Sequence, residues 1–406
     1  MGIVVQKFGG SSVASPEHIK NVAQRIIETK EQGNQVITVV SAMGDSTDDL
    51  LALANAITKN PPHREMDMLL ATGEQVSISL LSMAIKERGY NVVSLTGAQA
   101  GIYTDDIHKK AKITRIDNDR LQKELDSGKI IIVAGFQGKT EAGEITTLGR
   151  GGSDTTAVAI ATAVGAEVCE IYTDVDGVYT TDPRIVSNAR KLDSISYDEM
   201  LELASLGALV LQTRAVEYTK KHNVRICVRS SFNHNKGTIV EEASLMKKTR
   251  LVSGVAHDLD VAKVTIYGVP DIPGIAQRVF KSLAEAAINV DMIVQSNPKG
   301  DRNDISFTVG LDDRNRAMEL MEDLKIKLGA EGVTLRDNLA KISIVGAGMQ
   351  SNAGVAANMF EALAEADINI ELITTSEIKI SCLVELDQSK KAVQVIHDKF
   401  RLGDED

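Results

Sequence analysis

A chain of 406 residues is longer than a single hydrophobic core usually organises, so two or three folded units are expected. With 43% hydrophobic and 25% charged residues, and no low-complexity tract, Pro-rich linker or long like-charge run, the composition excludes a disordered tail and describes a globular protein ordered throughout. The formal net charge of -11, with no basic stripe, speaks against nucleic acid as a partner, and Cys169, Cys227 and Cys382 form no C-x-x-C pair of a zinc or disulfide framework.

The N-terminus lacks a basic-then-apolar signal sequence, Gln6 breaks the myristoylation pattern after Gly2, and no apolar run approaches membrane-spanning length. A soluble protein of a reducing cytoplasm is expected. Global repulsion of an anionic ligand counts for little, because exposed charges beyond roughly 8 Å are screened. Local lysines and arginines decide.

From residue 1 to about 250, short β-branched runs alternate with helical patterns. This predicts strands buried on both faces in a three-layer α/β/α unit with a mainly parallel sheet. The first strand, IVVQKF at 3–8, runs into K-F-G-G-S-S. There Gly9 and Gly10 let backbone N–H groups approach an anion and Lys7 supplies a full charge; a plain turn with a solvated lysine is the competing reading. Ser15 before Pro16 reads as an N-cap with proline at N1, and Gly33 as the glycine that ends that helix.

QVITVVS at 35–41 leads into S-A-M-G-D-S-T-D, whose Ser41 and Thr47 hydroxyls can donate to a carboxylate or phosphate; capping by Ser46 or Thr47 is the alternative. Glu74, in T-G-E-Q within a helical stretch, suits an ammonium group or is simply exposed. After NVVSL at 91–95 come a helix bracketed by Asp117 and Gly128 and the run KIIIVAGF at 129–136. T-L-G-R-G-G-S-D-T-T at 147–156 then sets Arg150 among glycines ahead of a helix starting near Ser153. An arginine there can grip a carboxylate bidentately, and Asp154 can orient a metal-bound nucleotide or a reacting group, or only cap the helix. The strand EIYTD at 170–174 opens into Y-T-D-V-D-G-V-Y-T-T-D-P-R, where Asp174, Tyr179, Asp182 and Arg184 can contact a nucleotide, although turn chemistry alone accounts for V-D-G and D-P.

From about 262 the sequence repeats at an offset of 80: Gly268 falls on Gly348, Gly274 on Gly354, Phe280 on Phe360, Leu283 on Leu363, Asn289 on Asn369 and Ser296 on Ser376. Each copy reads strand, helix, strand, strand, helix.

Taken in order, K-F-G-G-S-S, S-A-M-G, T-G-E, L-G-R-G-G-S-D-T and Y-T-D-V-D-G-V-Y-T-T-D-P-R resemble the aspartate kinases of the amino acid kinase family. The duplicated region resembles the paired ACT domains that regulate them, so the resemblance covers nearly the whole chain. It implies an amino acid kinase domain over 1–245, followed by two ferredoxin-like α+β ACT domains over 262–338 and 339–406. The implied reaction moves the γ-phosphoryl group of ATP to the β-carboxylate of L-aspartate, the first step towards lysine, threonine and methionine, under feedback control by those amino acids. The nucleophile is already ionised near neutral pH and needs no strong base.

Carried over by motif, Lys7 with Gly9 and Gly10 would hold the transferring phosphate. ATP would also meet Phe8, Ser41, Thr173, Asp174, Tyr179, Asp182 and Arg184. Ser41, Thr47, Gly151, Gly152 and Ser153 would line the aspartate side, with Arg150 on a carboxylate, Glu74 on the ammonium and Asp154 organising the reacting groups. Mg²⁺ would arrive as MgATP, and no protein residue is singled out as a metal ligand. Leu209 stands where many relatives carry a lysine, and Arg214 or Lys220 would substitute for it or are surface charges. Effector sites are implied at Asp271, Gly274, Ala276, Asn289, Asp291 and Gln295 in the first copy, and at Ser351, Asn369, Glu371, Ser376 and Glu377 in the second. S-N-A-G-V stands where relatives often have S-H-P-G-V. The same resemblance implies a homo-oligomer through the ACT units, no nucleic-acid or membrane partner, and a shorter ACT-only chain started near Met246. Another small-molecule kinase of the same fold, or a catalytically silent amino-acid sensor, are the readings left open.

Overall fold

The structure, a computed structural model, describes residues 2–149, 151–206, 210–246, 251–298 and 300–404. Arg150 and Leu209, both singled out above, lie outside the described residues, as does the side chain of Ser351. The chain forms two compact units: Met1–Val178, Lys191–Ser205 and Leu209–Lys248 make the first, and Tyr179–Arg190, Leu206–Ala208 and Thr249–Asp406 the second.

In chain order the first unit begins β1 (Ile3–Phe8), α1 (Pro16–Glu31), β2 (Gln35–Val40), α2 (Ser46–Ile57), α3 (His63–Glu87) and β3 (Val92–Leu95). It continues with β4 (Ile102–Thr104), β5 (Ile113–Ile116), α4 (Asp119–Asp126), β6 (Ile130–Ala134), β7 (Gln137–Lys139) and β8 (Ile145–Thr147). It ends with α5 (Gly152–Val164), β9 (Val168–Thr173), β10 (Ser194–Ser196), α6 (Tyr197–Ser205), α7 (Thr213–His222), β11 (Ile226–Ser230) and β12 (Thr238–Glu241). Eight strands form the main sheet in the order β10-β12-β11-β9-β1-β2-β6-β3, parallel except between β11 and β12.

The predicted runs are these strands, because isoleucine and valine on both faces bury only between two helical layers: β6 is buried at every position. The Ser15 hydroxyl accepts from the His18 N–H with Pro16 at N1, which starts α1 as expected. A second sheet, β5-β4-β7-β8, escaped the sequence reading, since strands of three or four residues are too short to show alternation. By length and composition alone α3 is apolar enough to cross a membrane, which corrects the reading that nothing approaches that length. Within the unit, however, its buried face with Leu70, Ile78, Leu81 and Ile85 belongs to a helix that packs against α1, β3 and β6.

The second unit contains β13 (Gly254–Asp258), β14 (Ala262–Pro270), α8 (Ile275–Glu285), β15 (Ile293–Gln295), β16 (Arg302–Val309), α9 (Arg314–Leu328) and β17 (Gly332–Arg336). Then follow β18 (Leu339–Val345), α10 (Val355–Glu365), β19 (Leu372–Thr375), β20 (Lys379–Glu385) and α11 (Ser389–Lys399). Two antiparallel sheets result, β15-β16-β14-β17 and β13-β18-β20-β19. The duplication reaches the backbone: Gly274 and Gly354 have φ of 96° and 94°, and Ala287 and Asp367 both have φ of 56°.

The copies are interleaved, because β13 precedes the first module yet pairs with β18 of the second. The compact units do not coincide with the sequence segments in two places. The second module draws a strand from before residue 262, and residues 179–190, counted with the kinase motifs, pack into the second unit. The physical reason is apolar: Val186 is fully buried in one cluster with Val255, Ile342 and Ile396, and the Val255 N–H donates to the Thr180 carbonyl at 2.7 Å.

His397, completely buried on α11, shares a hydrogen bond of 2.9 Å between its Nε2 and Thr180 Oγ1. Burial pushes this imidazole below its ordinary value near 6.5, against the opposing pull of Asp398. As pH falls the unfolded chain takes up the proton first, so stability present above about pH 6.5 is lost below it. Thermal melts at pH 7.5 and 5.5 are expected to show a smaller fall for His397→Gln than for the parent; equal falls would refute this.

Candidate active site

Parallel pairing places the carboxyl ends of β1, β2, β6 and β9 along one edge of the main sheet, where open α/β sheets bind ligands. From β1 the chain turns at Gly9 and Gly10. A Cβ on Gly10 would lie 3.0 Å from the Ala42 carbonyl and 3.1 Å from that of Gly44, and the Gly44 N–H donates to the Gly10 carbonyl at 3.1 Å. The two loops that follow β1 and β2 are therefore locked together, at a spacing that only glycine permits.

Over this turn Lys7 Nζ meets Asp154 Oδ1 at 2.6 Å, both side chains largely buried. Asp154 sits in the first turn of α5, whose N-cap, Gly151, is left-handed at φ 71°. A lysine, a glycine turn and a helix N-terminus thus converge, each favouring a phosphate. Ser41 Oγ donates to Ser153 Oγ at 3.0 Å, joining the end of β2 to the start of α5. Gly135 makes room for that contact, since a Cβ there would lie 2.8 Å from Ser153; sequence reading passed over it because a lone glycine after a strand carries no sign of what it faces.

Glu74 is buried on α3, with one carboxylate oxygen accepting from the Ala42 N–H at 3.3 Å and Oε2 left without a hydrogen-bond partner. Burial pushes its carboxyl up to about 7, against the pull of the nearby N–H donors. An orphaned buried carboxylate oxygen beside the phosphate turn is suited to a ligand cation. The reading of Glu74 as an exposed residue is excluded.

The other predicted contacts separate. Lys7, Gly9, Gly10, Ser41, Thr47, Glu74, Gly151, Gly152, Ser153, Asp154, Thr173 and Asp174 all belong to the first unit. Thr47 lies in the first turn of α2, where no side chain caps the helix, so the capping alternative fails. At the end of β9, Thr173 Oγ1 donates to Asp174 Oδ1 at 2.9 Å. Phe8 is fully buried and stacked on Tyr172 at 4.5 Å, so its ring faces the core of the unit. Tyr179, Asp182 and Arg184 fall in the second unit, where the Arg184 guanidinium grips Asp182 and holds its carboxyl below the usual range. Arg214 donates to the Leu148 carbonyl at 3.2 Å and Lys220 pairs with Asp198.

Of the regulatory candidates, Asp271, Gly274, Ala276, Asn289, Gln295, Asn369, Ser376 and Glu377 are exposed. The Asn303 amide donates to Asp271, and that of Gln350 to Glu377, both at 2.9 Å. Asp291 and Glu371, equivalent under the 80-residue offset, go elsewhere: Lys341 of the second module pairs with Asp291, and Lys263 of the first pairs with Glu371 at 2.8 Å. Each acid is thus already matched by a lysine of the opposite copy.

Comparison with known proteins agrees with this architecture. The profile of the amino acid kinase family matches residues 2–230, and that of the ACT domain matches 264–323 and 342–400. The chain is 54% identical over 403 residues to an aspartokinase of Bacillus sp. (strain MGA3), covering 99% of this chain and 98% of the relative. It is similar in fold to E. coli aspartokinase III in complex with aspartate and ADP, with a TM-score of 0.81, 26% identity and coverage of 98% and 99%. The same E. coli enzyme in complex with lysine and aspartate gives a TM-score of 0.79 at 25% identity, with the same coverage.

Proposed function

The chain belongs to the aspartokinases of the amino acid kinase family, and from that premise we infer that the turn at Lys7, Gly9 and Gly10 and the start of α5 are where the γ-phosphoryl group of ATP passes to L-aspartate. The observation that carries this reading is the Lys7–Asp154 pair at 2.6 Å over the glycine turn. A side-chain carboxylate oxygen of aspartate attacks the γ-phosphorus as the bond to ADP breaks, leaving an acyl phosphate. Lys7 and the backbone N–H groups of the turn hold the charge that spreads over the phosphoryl oxygens, and Asp154 keeps the ammonium of Lys7 aimed at them. Glu74 receives the α-ammonium of aspartate, while Ser41 and Ser153 hold a carboxylate.

Among the described residues no three His, Cys, Asp or Glu side chains gather to hold a metal. Mg²⁺ fits such a site when the nucleotide phosphates and water supply most of its oxygens, and there it neutralises phosphate charge. Lysine or threonine as inhibitors is supported by the ACT modules and by the lysine complex of the E. coli relative. A place in lysine, threonine and methionine biosynthesis and in the cytoplasm follows the same reading. Pairing with a second copy through the ACT modules is supported by Ile293 and Ile373, equivalent residues on the edge strands β15 and β19 that stand 50% and 41% exposed. A chain started at Met246 would lack Val186 of the second core, so it needs another cover at that place; mass spectrometry finding only full-length protein in native extract would exclude it.

Purified protein with MgATP, L-aspartate and hydroxylamine is expected to form the hydroxamate, less so with lysine or threonine added, and not with glutamate or acetylglutamate. Folded protein that binds ATP without turning over aspartate would favour a different acceptor or a silent sensor.

A further inference from the structure

Seven residues before Glu74, on the same face of α3, lies a second carboxylate that the chemistry above does not use. Asp67 is completely buried. Its Oδ2 accepts from His108 Nδ1 at 2.7 Å, its Oδ1 from Thr147 Oγ1 at 2.6 Å, and both oxygens from the Lys109 N–H at 3.1 Å. A carboxylate removed from water with all its neighbours donating is a fixed point, and here it ties two loops to one helix.

The first loop is strained where it is tied. Lys109 is left-handed at φ 69°, a conformation that a lysine keeps only when its surroundings hold it there. The second is the end of β8: the Ala111 N–H donates to the Thr147 carbonyl at 3.0 Å, and a Cβ on Gly149 would come within 3.0 Å of the Lys109 carbonyl. The Lys109 loop therefore lies against the turn that feeds α5 and its Ser153 and Asp154. The His108 imidazole is 20% exposed and gives its Nδ1 to Asp67.

We propose that His108, oriented by Asp67, is a positioning residue for the acceptor half of the site: the pair presses the Lys109 loop onto the turn after β8 and so sets the start of α5 against Glu74. α3 then gauges the acceptor pocket, with Asp67 placing one wall and Glu74 forming the other. This rests on the aspartate kinase reading, which predicts that the parent protein turns over aspartate.

The test is steady-state kinetics of the full chain with His108→Leu, His108→Asn and Asp67→Asn, each with a thermal melt. His108→Leu is expected to raise KM for aspartate about tenfold or more while KM for ATP stays within about twofold, because misplacement touches only the acceptor side. His108→Asn, which keeps a donor near the Nδ1 position, is expected to recover most of that loss, and Asp67→Asn to resemble His108→Leu. An unchanged KM for aspartate in His108→Leu, both KM values rising together, or no recovery with asparagine would each overturn the proposal. Failure of the parent protein to use aspartate would instead overturn the reading on which it rests.

Discussion

Lys7→Met is expected to lower the turnover of aspartate by about 10²–10³-fold, the loss typical of removing one preorganised donor from developing charge. Lys7 alternates with the buried Gln6 and Phe8 on β1, and methionine keeps the length of its stem in the same slot, so the sheet should form as before. Its Nζ lies 3.5 Å from where a Cβ on Gly9 would stand and is held by Asp154 at 2.6 Å. At about 4 Å from a phosphate oxygen one such charge interacts by about 4 kcal/mol at an effective dielectric of 20, more than the screened net charge of the whole chain supplies. The hydroxamate assay together with a melting curve decides the matter. Retained turnover in folded protein would remove Lys7 from the mechanism.

Glu74→Gln is expected to act in opposite directions on stability and on substrate affinity. Burial raises this carboxyl to about 7, whereas the unfolded chain ionises near 4.5. Between those values the native state holds the proton that the unfolded state has released, so stability falls as pH rises through the window and levels off above it. The whole effect is on the order of 3 kcal/mol at one pKa unit per 1.36 kcal/mol. Glutamine, which carries no charge to desolvate, should lessen the decline in melting temperature between pH 5 and pH 8. The α-ammonium of aspartate loses its anionic partner in the same variant, so KM for aspartate should rise about 10–100-fold with KM for ATP little changed. A parent and variant with the same pH profile would place Glu74 in water; an unchanged KM for aspartate would take it off the acceptor.

The strands and helices around the site were legible because their signals are local. β-branched runs such as IIIVA at 130–134 have to be buried on both faces, and serine followed by proline can start a helix such as α1 with no help from distant residues. The duplication was equally plain, since glycines with the same left-handed requirement recur 80 residues apart. Family motifs named most of the edge residues that the first unit gathers, but they also named Phe8, which faces the core. A motif records which residues occur together, not which way each one points.

What the sequence by itself determined is therefore a parallel sheet with a phosphate turn at the end of its first strand, and two copies of a regulatory module after it. Only the tertiary structure decided which loops meet: that Glu74 is buried with an orphaned oxygen, that Asp67 joins His108 to Thr147, and that Asp291 and Glu371 pair with lysines of the opposite module. It also carried residues 179–190 into the second unit and made β13 a strand of the second module. The physical reason is common to all of these. A local propensity acts over a few neighbouring residues, whereas the partner of a buried polar or apolar side chain is chosen by the whole fold, among groups as far apart as Thr180 and His397, 217 positions from each other and hydrogen-bonded within one unit.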